Sequence, residues 1–125
     1  MIGGTDGAKK RDGQIKRLGK QGENAACRYL KRRGYKIIER NYKTRFGEVD
    51  IIARKDDTVA FIEVKTRLTD KFGAPAEAVT FAKQRKYALS AQFYFSQCED
   101  DCIIRFDVIE VFRGEINHIE NAFSA

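Results

Sequence analysis

The chain has 125 residues, 42% of them hydrophobic and 34% charged, which suits one domain with a modest core. Its net charge of +6 is uneven: residues 1–45 hold 14 Lys or Arg against 4 acids, and residues 88–125 hold 2 against 7, so the basic front half points to a polyanionic partner such as nucleic acid. No run of about 18 apolar residues occurs, which excludes a membrane-spanning helix, and one histidine (His118) with three cysteines lacking Cys-x-x-Cys spacing is a poor zinc inventory.

Residues 1–13 are polar, glycine-rich and basic, without the apolar stretch of a secretory signal, and read as a flexible tail. Residues 14–125 read as a single domain. Leu18 to Arg33 has an amphipathic helical pattern, with Leu18, Ala25, Ala26, Tyr29 and Leu30 on one stripe and Gly34 as its stop. Glu23 shares that stripe. An inward acid near a helix start can exploit the dipole, or it can reach a site as a further ligand to a metal or water. Cys27, Cys98 and Cys102 read as reduced thiols of a cytoplasmic protein, although Cys98 and Cys102 could bridge under oxidation.

Tyr35 to Tyr42 is expected as a strand, followed by a basic loop, Lys43 to Gly47. Glu48 to Arg54 and Val59 to Arg67 then form a hairpin around Asp56-Asp57. After the loop from Leu68, Pro75 opens a helix to about Ser96, with Val79, Ala82, Leu89 and Phe93 on one side. Ile103 to Phe112 is an apolar strand, Arg113-Gly114 a turn, and Glu115 to Glu120 a weaker final strand. The order α-β-β-β-α-β-β indicates an α/β (α+β) domain in which helices flank a mixed sheet.

The hairpin carries the chemistry. Side chains alternate along a strand, so Glu63 and Lys65 share one face. Glu48 and Asp50 share a face of the partner strand, opposite Val49 and Ile51. A two-residue turn at Asp56-Asp57 pairs Lys55 with Thr58 and, counting back, Asp50 with Glu63. Opposed carboxylates about 4.5–5.5 Å apart at Cβ repel one another. A hard divalent cation, Mg²⁺ or Mn²⁺, would offset that repulsion while keeping positions for water and a phosphate oxygen. Lys65 beside them could orient water or stabilise charge on a phosphoryl group. The same register also fits an ordinary ion pair between Glu48 and Lys65. Val-Ala-Phe-Ile-Glu-Val-Lys, with apolar residues on both faces, reads as an interior strand, where a charge is costly without a use. Lys43, Arg45, Arg67 and Lys71 lie near the hairpin ends, where they could guide a nucleic-acid backbone.

Gly22-Glu23-x-x-Ala26, Gly34-Tyr35, Arg40-Asn41-Tyr42, Phe46 to Ala53, Phe61 to Arg67, Phe72-Gly73-x-Pro75 and Asn121-Ala122-Phe123 together resemble the YraN-like family of small bacterial proteins. That family is similar in fold and motif to PD-(D/E)XK nucleases, notably archaeal Holliday-junction resolvases. The resemblance implies a restriction-endonuclease-like core and a metal-dependent nuclease acting on DNA, with branched or flapped DNA as substrate. Asp50 and Glu63 would be metal ligands, the Val64 carbonyl an extra ligand, Lys65 the catalytic lysine and Glu23 the helical acid of the resolvase-like branch. Lys83 falls where many relatives place an accessory polar residue. Val49 stands where the superfamily name expects proline. A two-fold dimer would suit a duplex or junction. Two other roles fit the residues: a non-catalytic nucleic-acid-binding module on the same fold, and a protein-interaction scaffold that docks a basic partner through Glu99-Asp100-Asp101.

Overall fold

A computed structural model describes residues 3–67, 79–96 and 101–124, with the side chains of the first helix described from residue 17 onward. The elements run α1 (Gly3–Arg32), β1 (Lys36–Thr44), β2 (Gly47–Lys55), β3 (Thr58–Thr66), α2 (Phe81–Ser96), β4 (Ile103–Phe112) and β5 (Glu115–Phe123). This is the expected mixed α+β order. No helix among the described residues is long and apolar enough to cross a membrane.

Helix α1 begins well before Leu18 and stops where Gly34 permits it. Gly34 takes φ +91°, its amide bonds the Lys31 carbonyl, and the Tyr35 amide bonds the Leu30 carbonyl at 2.9 Å. These two bonds satisfy carbonyls that the last turn leaves unpaired, and Tyr35 packs in the same core cluster as Leu30. Helix α2 starts at Phe81 because Thr80 caps it, its hydroxyl accepting the Lys83 amide at 3.2 Å. Residues 79 and 80 are thus outside the helix, later than a start at Pro75 would give, and Pro75 itself lies outside the described residues.

The strands form one sheet in the order β1-β2-β3-β4-β5. All neighbours are antiparallel except β3 and β4, which are parallel and are linked through α2. β3 is therefore the central strand, as its two apolar faces suggest.

The helices cover opposite faces. Ala26 and Leu30 of α1 pack with Ile51, Ile62 and Ile109. Tyr87 and Ala91 of α2 pack with Ile52, Phe61 and Val108. Each large side chain so buried contributes about 1.5–3 kcal/mol. The inward side of α2 differs from the expected one. Tyr87, Ser90 and Ala91 are buried, whereas Ala82 and Phe93 are exposed and Leu89 is half-buried. Apolar residues occur all around this helix, so periodicity alone picks the wrong side.

β4 carries two fully buried carboxylates, each with partners. Asp107 accepts two hydrogen bonds from Arg105, one from the Asn121 amide at 2.9 Å, and contacts His118 Nε2 at 2.8 Å. Burial raises the Asp107 carboxyl, but the His118, Arg105 and Asn121 contacts outweigh it and hold the group below its ordinary range. Glu110 is satisfied by Arg67 Nε at 2.6 Å and by Asn117 at 3.1 Å.

Candidate active site

The hairpin register is the one counted from the turn: Lys55 pairs with Thr58, and the ladder continues to Ile51 with Ile62. There it ends, one pair short of Asp50 and Glu63. The Asp50 side chain instead accepts the Val64 amide through Oδ2 at 2.8 Å. On its other side β2 also lacks a partner for Asp50, because the β1–β2 ladder passes from Tyr42–Val49 to Arg40–Ile51. Asn41, the residue skipped, has φ +51°, a left-handed conformation that interrupts the pleat. Strict alternation therefore fails at this point. Val49 packs on the α2 face with Ile52, while Ile51 packs on the α1 face. The expectation that Val49 and Ile51 share one face is overturned by this kink.

The break leaves Asp50 at an opening between the layers. One cavity of about 380 Å³ is lined by Asp50, Glu63, Val64 and Glu23, together with Leu18 and Thr66. A second, of about 460 Å³, has Asp50, Glu48, Lys83 and Tyr87 among its lining residues. Asp50, Glu63, Val64 and Glu23 thus share one cavity wall, contributed by α1, β2 and β3.

Glu63 is 4% exposed and held from three sides. Lys83 Nζ donates to its Oε1 at 2.7 Å, Tyr87 Oη donates to Oε2 at 2.9 Å, and Lys65 Nζ lies 3.9 Å from Oε1. Lys65 therefore pairs with Glu63, and no ion pair with Glu48 accompanies it among the described residues. Burial, and next the Glu63 charge, push the Asp50 carboxyl up to about 7, against the opposing Val64 hydrogen bond. The Tyr87 hydroxyl is raised well above its usual range by burial and the Glu63 charge, so it acts as a donor. Burial also raises Glu23, opposed by Arg40, whose guanidinium is 3.9 Å away. With its amide nitrogen turned toward the acids, Asn41 bridges Glu48 Oε1 at 2.8 Å and Glu23 Oε1 at 3.2 Å.

The donors suit a hard cation: two carboxylates, with the Val64 carbonyl beside them in sequence, and a lysine ammonium already resting on Glu63. Among the described residues no group of three or more His, Cys, Asp or Glu side chains forms a ready cage. A bound Mg²⁺ or Mn²⁺ would therefore rely on water and substrate oxygens for its remaining positions.

The basic residues divide. Lys43 and Arg45 are exposed at the β1–β2 turn, and Arg45 lies over the Phe46 ring at 4.9 Å. Arg67 is committed to buried Glu110, and Lys83 to Glu63. Lys71 lies outside the described residues. Tyr87 and Asn41 are not among the site residues expected from the sequence, although Asn41 belongs to the Arg40-Asn41-Tyr42 motif. The i, i+4 spacing of Lys83 and Tyr87 on one helix was the available signal for the tyrosine. The Asn41 kink had no comparable one.

The sequence profile described as uncharacterised protein family UPF0102 matches residues 22–111. A UPF0102 protein of Thermodesulfovibrio yellowstonii is 49% identical over 85% of this chain and 95% of its own length. One of Alkaliphilus oremlandii is 50% identical over 86% and 98%, and one of Clostridioides difficile 47% over 86% and 97%.

Proposed function

The chain belongs to the uncharacterised protein family UPF0102, and from that premise we propose that it hydrolyses phosphodiester bonds in nucleic acid, with DNA as the substrate and Mg²⁺ or Mn²⁺ as cofactor. The observation that carries this reading is the junction of Asp50 and Glu63 at the end of the β2–β3 ladder, with Lys65 Nζ 3.9 Å from Glu63. Lys83 already offsets the Glu63 charge, yet burial and that charge still push the Asp50 carboxyl up, a repulsion that a cation held between the two acids would relieve.

Asp50 and Glu63, with the Val64 carbonyl, would hold the ion. When bound, it would stabilise negative charge on the phosphate oxygens and on the leaving oxygen. Lys65 orients the attacking water, whose oxygen bonds to phosphorus and releases one proton to solvent as the phosphorus–oxygen ester bond breaks and the departing oxygen takes a proton from solvent. Tyr87 fixes the Glu63 rotamer, and Glu23 faces the same cavity from α1. Lys43 and Arg45 provide exposed positive charge for phosphates beside the site.

The test is cleavage of labelled branched, single-stranded and duplex DNA with Mg²⁺, Mn²⁺ or EDTA. Metal-dependent cleavage by the wild type, lost in Asp50→Asn while binding persists, is the expected result. Absence of wild-type cleavage of every substrate, with nucleic acid still bound, would make the protein a binding module on this fold.

A further inference from the structure

We propose that the groove between α1 and the ends of β3 and β4 binds single-stranded nucleic acid leading away from the acidic centre. The inference deepens the nuclease reading and rests on it for direction, since the groove adjoins that centre.

The groove encloses about 460 Å³, a volume in the range that holds small organic ligands. Leu18 and Thr66 line both this groove and the cavity holding Asp50 and Glu63, so the two spaces adjoin at this pair. Its apolar surface comes from Leu18, Ala25, Val111 and Phe112, and its charge from Arg28, Arg67 and Arg113.

The three arginines are held differently. Arg67 is fixed by Glu110, whose buried carboxylate takes the Nε hydrogen bond at 2.6 Å. Arg113 sits in the β4–β5 turn with its guanidinium 5.2 Å from the centroid of the Phe112 ring. Arg28 is exposed on α1. Neither Arg28 nor Arg113 has an ion-pair partner among the described residues. No carboxylate lines the groove, so with Arg67 offset by Glu110 its free positive charge comes from Arg28 and Arg113.

The occupant follows from this chemistry. Cations alone would suit any polyanion, but an apolar lining with an aromatic ring and a stacked guanidinium suits an exposed base face as well. A duplex keeps its base faces stacked inside and offers only phosphates, sugars and groove edges. An unpaired strand offers both phosphates and bases. Gly22 and Thr66, both in the groove lining, approach so closely that any side chain larger than hydrogen at residue 22 would run into Thr66.

The experiment measures equilibrium binding of a fluorescent single-stranded oligonucleotide and of the matching duplex, in EDTA so that no cleavage intervenes, across a salt series. It compares wild type, Arg28→Ala/Arg113→Ala, and Lys36→Ala, an exposed lysine on the edge strand outside the groove. Thermal unfolding checks that each variant folds. The double variant should bind single strands about tenfold more weakly, with a salt slope shallower by about 1.4, the value for two lost phosphate contacts on a single strand. Duplex binding should change less, and Lys36→Ala should match wild type. Unchanged single-strand affinity in the folded double variant would overturn the groove, as would an equal loss for single strand and duplex. The nuclease reading is judged separately by metal-dependent cleavage and Asp50→Asn: groove binding without any cleavage removes the nuclease and keeps the groove, and the reverse pattern removes the groove alone.

Discussion

Lys83 Nζ of α2 lies 2.7 Å from Glu63 Oε1 on the central strand, so a metal ion reaching Glu63 must compete with a cation the protein already supplies. Removing that competitor should tighten metal binding. Lys83→Met is expected to lower the Mn²⁺ dissociation constant by up to about fivefold, the factor that ~1 kcal/mol represents for a half-exposed ion pair. Mn²⁺ titration followed by electron paramagnetic resonance reads it directly. Weaker Mn²⁺ binding in Lys83→Met would mean that the lysine supports the site instead of competing for it.

Tyr87 makes a separate prediction because it is 1% exposed and donates to the same carboxylate at 2.9 Å. Tyr87→Phe keeps the ring in its core contacts and leaves Glu63 short of one donor. The loss should be about 1–3 kcal/mol, the cost of an unsatisfied buried group. Urea denaturation in EDTA checks it, and an unchanged midpoint would show that water replaces the hydroxyl.

How far the sequence discloses this site depends on which interaction sets each feature. The hairpin register is local: a two-residue turn at Asp56-Asp57 fixes Ile51 opposite Ile62 and brings Asp50 next to Glu63. The end of α1 is likewise local, carried by Gly34. What escapes is set by contacts distant in the chain. Asn41 holds φ +51° inside β1 and breaks the alternation of β2, which moves Val49 to the other face. Helix α2 turns Tyr87, Ser90 and Ala91 inward because Glu63 and the Phe61 face await them, and no apolar periodicity within α2 encodes that choice. The roles of Lys83 and Arg67 escape for the same reason, since a lysine or arginine in sequence does not reveal a buried glutamate across the fold.

Asp107 predicts a pH dependence of stability. Its folded carboxyl is held below the ordinary range, so it contributes stability above the unfolded value of about 3.9, and that contribution is lost as pH falls through the lower folded value. Asp107→Asn removes a fully buried partner of Arg105 and should cost about 3 kcal/mol near pH 7. The gap between variant and wild type should then close as pH falls below about 4. Denaturation midpoints across pH 2–7 give the comparison. A gap that stays constant over that range would assign the loss to packing and not to charge.

Gly22 and Thr66 supply the last test, because two opposing effects there have predictable signs. Alanine in a helix interior is favoured over glycine by about 1 kcal/mol, so Gly22→Ala would stabilise α1 if nothing lay beside it. A Cβ at this position, however, would collide with the Thr66 hydroxyl. That hydroxyl sits on a β-branched side chain with few rotamers to escape into, and it is itself directed at the Leu18 carbonyl at 3.4 Å. The collision should win, and Gly22→Ala alone should destabilise the fold by about 1–3 kcal/mol, the range for overpacking. Thr66→Ala removes the obstructing atoms, so in that background the same Gly22→Ala change should become neutral or stabilising. The double-mutant cycle isolates the coupling. Additive single effects would mean that Thr66 is not what a side chain at residue 22 meets, and that the close approach of helix and sheet at this end is not what glycine is there to permit.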